Sequence, residues 1–438
     1  MEIRFEHMLV SEQRMKEVGA SMRPYIDELV HTARTRKDGR GEYAITTPFD
    51  HEALKAVLDM KSKTVNHALK YVVVVGIGGS NLGSKAIYDS LRGHFDVLEP
   101  ASFPKMLFAD TCDPEWLARF SSFLEHRINS PEEVLVVLVT KSGTTIETMF
   151  NGEFLMKLLT RQFGAVAKER LVVITAPENK FWEWAGDHDI KRLSIPLAVG
   201  GRYSIFTAAG LFPLAAAGFD IRALLEGAQS MREHCLSESV TKNSAARSAI
   251  GHFLHYQAGV RVADMFVFHP ELESLGKWNR QLLAECLGKE HDLDGKEVRI
   301  GLLPTVSVGS VDLHATGQQY FGGPKNRLTT FVWSSDRRNH GLPVANEFFK
   351  EHSAQAAGKT ADELMAVILQ GVEEAYQKSD LPFVDVVLPG INEYSLGQFM
   401  MWKMVEIMYL GKLLNVNAFD QPGVEMYKKE VERILRNS

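Results

Sequence analysis

A run of hydroxyls around one lysine, Thr140-Lys-Ser-Gly-Thr-Thr-Ile-Glu-Thr148, follows directly on the apolar stretch Val134-Leu-Val-Val-Leu-Val139. An apolar, β-branched run of that length reads as a buried strand of a parallel sheet, so the hydroxyls fall at its carboxyl end. Ligands gather at that end of open α/β sheets, and the N–H groups of the next helix, expected to start near Thr145, attract anions. A phosphate is the natural occupant. Thr140, Ser142, Thr144 and Thr145 offer short donors, and Lys141 adds charge or caps the site. Taken alone, the run leaves open a solvated Ser/Thr turn.

A second loop, Gly76-Ile-Gly-Gly-Ser-Asn-Leu-Gly83, follows the apolar run Tyr71 to Val75 and precedes a helix expected near Ser80. Asn81 stands where a dinucleotide fingerprint needs glycine, and Ser84-Lys85 reverses the order that a nucleotide-phosphate loop needs. Neither nucleotide motif fits. A phosphate loop built on Gly79 and Ser80 does, with a ligand-free tight turn as the alternative. If the two strands are neighbours, both loops surround one anion.

These loops need a scaffold. Strands are expected at Tyr71 to Val75, Lys105 to Ala109, Val134 to Val139, Leu171 to Thr175 and Arg192 to Ile195, alternating with helices, which is a doubly wound parallel sheet. A helical connection over 203–260 leads to a second α/β unit, with strands at Ala263 to Phe268, Val298 to Leu303, Leu328 to Ser334 and Phe383 to Leu388. The expected organisation is a helical segment over 1–70, α/β domains over 71–260 and 261–415, and an arm over 416–438. In the first segment Ser11 and Asp50 are placed to open helices.

Composition narrows the setting. The chain of 438 residues exceeds what one core usually covers, and 49 basic against 55 acidic residues argue against nucleic acid as a partner. Cys112, Cys235 and Cys286 have neither metal-ligand nor redox spacing, as in a reducing, cytoplasmic compartment. The charged start, Met1 to His7, carries no export signal. Tyr203 to Phe219, broken by Gly210 and Pro213, is shorter than the roughly 20 apolar residues of a membrane span and reads as a buried helix. His252 and His255 share a helix face, but no third metal ligand accompanies them.

Five segments in order resemble the glucose-6-phosphate isomerase (phosphoglucose isomerase) family. They are Val75 to Ser80, Thr140 to Thr145, Gly200-Gly-Arg-Tyr-Ser204, Glu285-Cys-Leu-Gly-Lys289 with Asp312-Leu-His314, and Phe419-Asp-Gln-Pro-Gly-Val-Glu425 followed by Lys428. The resemblance implies two sugar-isomerase-type αβα sandwiches with a C-terminal helical arm, and aldose–ketose isomerisation of a sugar phosphate without cofactor or metal. It makes Glu285, at the end of a helix that Gly288 terminates, the base; Glu273 in Glu273-Ser-Leu-Gly-Lys277 has the same spacing but lacks the sequel. By the same resemblance Arg202 steadies the enediolate. His314, reaching in from a neighbouring subunit of a homodimer, opens the ring with Lys428, and Gln421 touches substrate near the phosphate.

The pair Cys286-Leu287 departs from the family's usual residues after the base. A cysteine nucleophile at 286 lacks the histidine context it would need. Two other functions stay in view. One is a dual enzyme that also accepts mannose 6-phosphate, against which Gln421 speaks, since dual-specificity relatives tend to have a smaller hydroxyl residue there. The other is a non-catalytic sugar-phosphate sensor, which would keep the loops and lose the proton-transfer residues.

Overall fold

The computed structural model describes residues 1–437 apart from 38, 337–342, 344–347 and 350. The chain opens with a short strand, β1 (Glu2–Arg4), followed by helices Glu12–Ser21, Arg23–Thr35 and His51–Thr64. The Ser11 and Asp50 side chains accept from Arg14 N and Ala53 N and so cap two of them. β2 (Tyr71–Val75), β3 (Lys105–Ala109), β4 (Val134–Val139), β5 (Leu171–Thr175) and β6 (Lys191–Ser194) make an all-parallel sheet in the order β3-β2-β4-β5-β6. Val72 and Val74 enter one apolar cluster while Tyr71, Val73 and Val75 enter another, so both faces are covered. That double burial is why these strands read as unbroken apolar runs.

The second sheet takes β7 (Val262–Val267), then, after a separate hairpin of β8 (Lys289–His291) and β9 (Glu297–Ile300), the strands β10 (Leu303–Val308), β11 (Arg327–Ser334) and β12 (Phe383–Leu388). Its order is β1-β12-β11-β7-β10, with β1 antiparallel and the rest parallel. The strand expected over Val298 to Leu303 is therefore corrected. Its first half is a hairpin arm, and the parallel strand begins at Leu303. β10 is an edge strand with Pro304, Thr305 and Ser307 in it, so no apolar run marks it. β1 also departs from the helical reading of 1–70, because three residues are too short to show a period; Arg4 lies 3.3 Å from Asp385 of β12.

In each sheet the second parallel strand lies on one side of the first and the third on the other. The switch points thus fall between β2 and β4 and between β7 and β11. The helix after β2, Leu82–Arg92, packs against the helix after β7, Glu273–Leu287. Tyr203 to Phe219, read as one helix, is a 3₁₀ segment Gly201–Phe206 followed by helix Ala208–Ala216, both buried. No helix among the described residues is long and apolar enough to cross a membrane.

The helix Glu393–Leu413 is buried from Ser395 to Gly411 and packs on Ile221–Cys235 and Ser244–Gln257. It carries two buried charges, Lys403 and Glu406, and Glu406 lies 3.3 Å from the buried His252. His255 instead faces the Met8 carbonyl at 2.6 Å, so the two histidines have separate partners. Burial pushes the Glu406 carboxyl up, but Lys403 and then His252 outweigh it and hold it at about 2. A carboxylate held below its unfolded value of 4.5 contributes stability above that value, which is lost as pH falls through the folded one. Glu406→Gln should therefore cost about 3 kcal/mol of unfolding free energy by leaving Lys403 buried without its counter-ion. Denaturant titrations at pH 7, 4.5 and 3 should show the parent's advantage over the variant shrinking toward acid.

Candidate active site

β2 and β4 are paired along their length, from Tyr71 opposite Val134 to Val75 opposite Leu138, so the two loops lie side by side at the switch point. The buried Thr140 hydroxyl accepts from Gly143 N at 3.2 Å and lies 3.3 Å from the Thr145 hydroxyl. Thr145 is the N-cap of helix Ile146–Phe163 but makes no side-chain bond to the first turn, which leaves that turn's N–H groups for an anion. Ser142 is exposed and accepts from Thr144 N (3.2 Å) and Thr144 Oγ1 (3.1 Å). Ser80 ends the 3₁₀ turn Gly78–Ser80. Lys141 Nζ donates to the Leu197 carbonyl at 2.6 Å, spanning from this loop to the segment after β6.

The glycines of the first loop bring it against two other segments. A Cβ on Gly79 would lie 2.2 Å from the Gly201 carbonyl carbon and 2.4 Å from Arg202 N. One on Gly78, which has φ +60°, would lie 2.9 Å from Gln281 Nε2. Backbone therefore touches backbone at Gly79, and the glycine loop sits directly beside Arg202.

Arg202 is 3% exposed and has an acceptor for every N–H of its guanidinium. Nε donates to Cys286 Sγ at 3.0 Å. One terminal nitrogen donates to Glu285 Oε2 (3.2 Å) and Gln421 Oε1 (2.7 Å), the other to the carbonyls of Ala418 (2.8 Å) and Asp420 (3.0 Å). Burial works against its charge, but Cys286, Tyr203 and Glu285 raise its pKa on balance. Glu285 sits in the last turn of Glu273–Leu287, and its other oxygen accepts from Gln281, one turn earlier, at 2.9 Å. Its carboxylate stays partly open to solvent, with 27% of the side chain exposed. Glu273, at the far end of the same helix, pairs with Lys277.

The structure brings together Glu285, Arg202, Gln421 and the Gly79 loop. It does not bring His314 or Lys428 to them. His314 is exposed on the short helix Val311–Ala315 after β10. Lys428 Nζ donates to Glu425 at 2.9 Å on the helix Pro422–Asn437, none of whose described residues is buried. Gln421 Oε1 accepts from the Arg202 guanidinium, beside the glycine loop.

Sequence reading missed four participants. Gln281 was legible as the residue one turn before Glu285. Lys289 was within the quoted motif; it donates to the carbonyls of Glu285 (2.8 Å) and Asp420 (2.6 Å), clamping the helix end to the C-terminal turn. Tyr203 and Cys286 have a 3.1 Å contact that no spacing rule reveals. Gly79→Ala should reduce turnover by about 100-fold, since a misplacement of roughly 1 Å at a reacting centre costs that much. Steady-state kinetics with a circular-dichroism check on folding would measure it.

The phosphoglucose isomerase family model matches residues 56–438. A glucose-6-phosphate isomerase of Carboxydothermus hydrogenoformans is 33% identical over 393 residues, covering 89% of this chain and 83% of that protein. One of Rubrobacter xylanophilus is 33% identical, covering 87% and 86%. Among solved structures, a hypothetical protein of Thermus thermophilus superposes with TM-score 0.86 at 29% identity, covering 99% of this chain and 100% of that one. A glucose-6-phosphate isomerase of Chlamydia trachomatis shares the fold at TM-score 0.81 and 20% identity, covering 99% and 88%. With the family model spanning both sheets and the C-terminal turn that holds Arg202, the chain belongs to the phosphoglucose isomerase family.

Proposed function

We propose that this enzyme interconverts D-glucose 6-phosphate and D-fructose 6-phosphate by ring opening and proton transfer through a cis-enediol. It would thereby serve glycolysis and gluconeogenesis in the cytoplasm. One observation carries the reading: a partly open carboxylate, Glu285, lies 3.2 Å from the buried Arg202 guanidinium, immediately beside a glycine loop at the end of β2. A base next to a fixed cation is what an enediolate needs.

The phosphate rests between the loops of β2 and β4, on Gly79, Ser80, Thr140, Ser142, Thr145 and the first turn of the Ile146–Phe163 helix, with Lys141 adding positive charge. Ring opening moves a proton from O1 to the ring oxygen, the work of His314 and Lys428. Glu285 then takes the C2 proton. The C2–H electron pair becomes the C1=C2 bond, and the carbonyl electrons move onto O1, where Arg202 balances the charge. A proton passes from O2 to O1 as C2 becomes the carbonyl, and Glu285 returns its proton to C1. The step closes without redox partner or metal.

His314 is exposed and Lys428 half-buried, and the arm carries Met426, Tyr427, Val431, Ile434 and Leu435 on its surface. An amphipathic helix that leaves these apolar side chains exposed supports a symmetric homodimer in which His314 completes the neighbouring site. A sensor would have no use for Glu285 poised between Arg202 and Gln281.

Glu285→Gln keeps the shape and removes the base; kcat should fall by at least about 1,000-fold, within the range seen for loss of general-base and electrostatic groups. A coupled assay of fructose 6-phosphate formation checks this, and a variant at near the parent rate would refute the assignment. Mixing inactive Glu285→Gln with inactive His314→Asn, then exchanging subunits, should restore roughly a quarter of parental activity through mixed dimers with one intact site. No recovery despite verified mixed dimers would mean that each site uses its own histidine.

A further inference from the structure

Three of the five acceptors around Arg202 stay in place during turnover. Glu285 must release its contact to work on substrate, and Gln421 shares the same nitrogen, so that edge of the guanidinium is the one a substrate oxygen meets. The remaining anchors are the carbonyls of Ala418 and Asp420 and the sulfur of Cys286. Two of these are backbone. Cys286 is the side-chain anchor, fully buried, and it is the residue directly after the base on the same helix end.

The sulfur is itself held. The Tyr203 hydroxyl lies 3.1 Å from it, and the Tyr203 ring packs against Phe419 at 5.6 Å between centroids. Burial raises both the thiol and the phenol, so the pair stays neutral near pH 7 and Sγ remains an acceptor for Nε–H. A planar guanidinium anchored along Nε and one terminal nitrogen has no freedom to turn its other edge. A group that must meet developing charge gains from being fixed beforehand.

We propose that Cys286, held by Tyr203, is a positioning residue that fixes the plane of the Arg202 guanidinium against the reacting oxygens. The proposal rests on the isomerase reading above. It also gives the departure at Cys286 a role: a thiol at this position serves as a buried acceptor, not as a nucleophile.

Cys286→Val fills the space and removes the acceptor, whereas Cys286→Ser restores one. We expect the valine variant to lose about 10- to 100-fold in kcat with KM changed less than about threefold, and the serine variant to stay within about threefold of the parent, because misorientation acts on the transition state. A valine variant within threefold of the parent, or a serine variant that falls as far as valine, overturns the proposal. Should Cys286→Val not fold, Tyr203→Phe is the substitute: a kcat loss of about three- to tenfold at constant KM supports positioning and an unchanged kcat refutes it. Solvent exchange of the Arg202 Nε–H proton by NMR separates the two readings. It should be slow in the parent and at least about tenfold faster in the valine variant, whatever the substrate proves to be. Equal exchange rates overturn the positioning role alone, while a parent protein that does not turn over fructose 6-phosphate overturns the isomerase reading.

Discussion

A buried guanidinium offers five N–H donors, and each one left without a partner carries a desolvation penalty. Arg202 meets that demand with Cys286, Glu285, Gln421 and two carbonyls of the turn at 418–420. These acceptors come from the end of one helix and from the last turn before the C-terminal helix, more than 200 residues from Arg202 in the latter case. The charge can be buried only if all three segments meet. Lys289 repeats the tie on the same turn, with Asp420 Oδ1 at 3.0 Å, and Phe419 seals it by packing closely on Gly41, its ring tilted 39° from that of Tyr203. One cation thus closes the chain over the site.

That closure works because the two α/β units share a strand order. Each has a switch point, and the helix following its first strand packs against the equivalent helix of the other unit. The Gly76–Gly83 loop belongs to the first unit and Glu285 to the second, so neither unit contains the candidate site alone. Gly78 and Gly79, without side chains, let the loop approach Gln281 and the Arg202 backbone closely. The packing of two helices therefore sets the distance between that loop and Glu285.

Legibility tracked burial. β2, β4, β5 and β12 showed as apolar runs because both of their faces are covered, and Gly288 marked the end of the Glu273–Leu287 helix where expected. β10, half exposed and carrying a proline at the edge of its sheet, was misplaced by several residues toward Val298, where a hairpin arm offers similar residues. β1 pairs through only three residues and left no pattern at all. The hydrogen bond of Lys141 to Leu197 depends on where β6 ends, which no local rule supplies.

The sequence by itself determined the parallel-sheet architecture, because periodicity and turn chemistry are local properties of the chain, and its short motifs, through the resemblance they carry, pointed to Arg202, Glu285 and Gln421, which the fold brings together. The tertiary structure alone decided that Gly79 touches Arg202 and that Cys286 and Tyr203 hold the guanidinium. Those are matters of which distant segments share a small dry volume. Close packing and the need to satisfy every buried donor fix them, and neither leaves a period in the sequence.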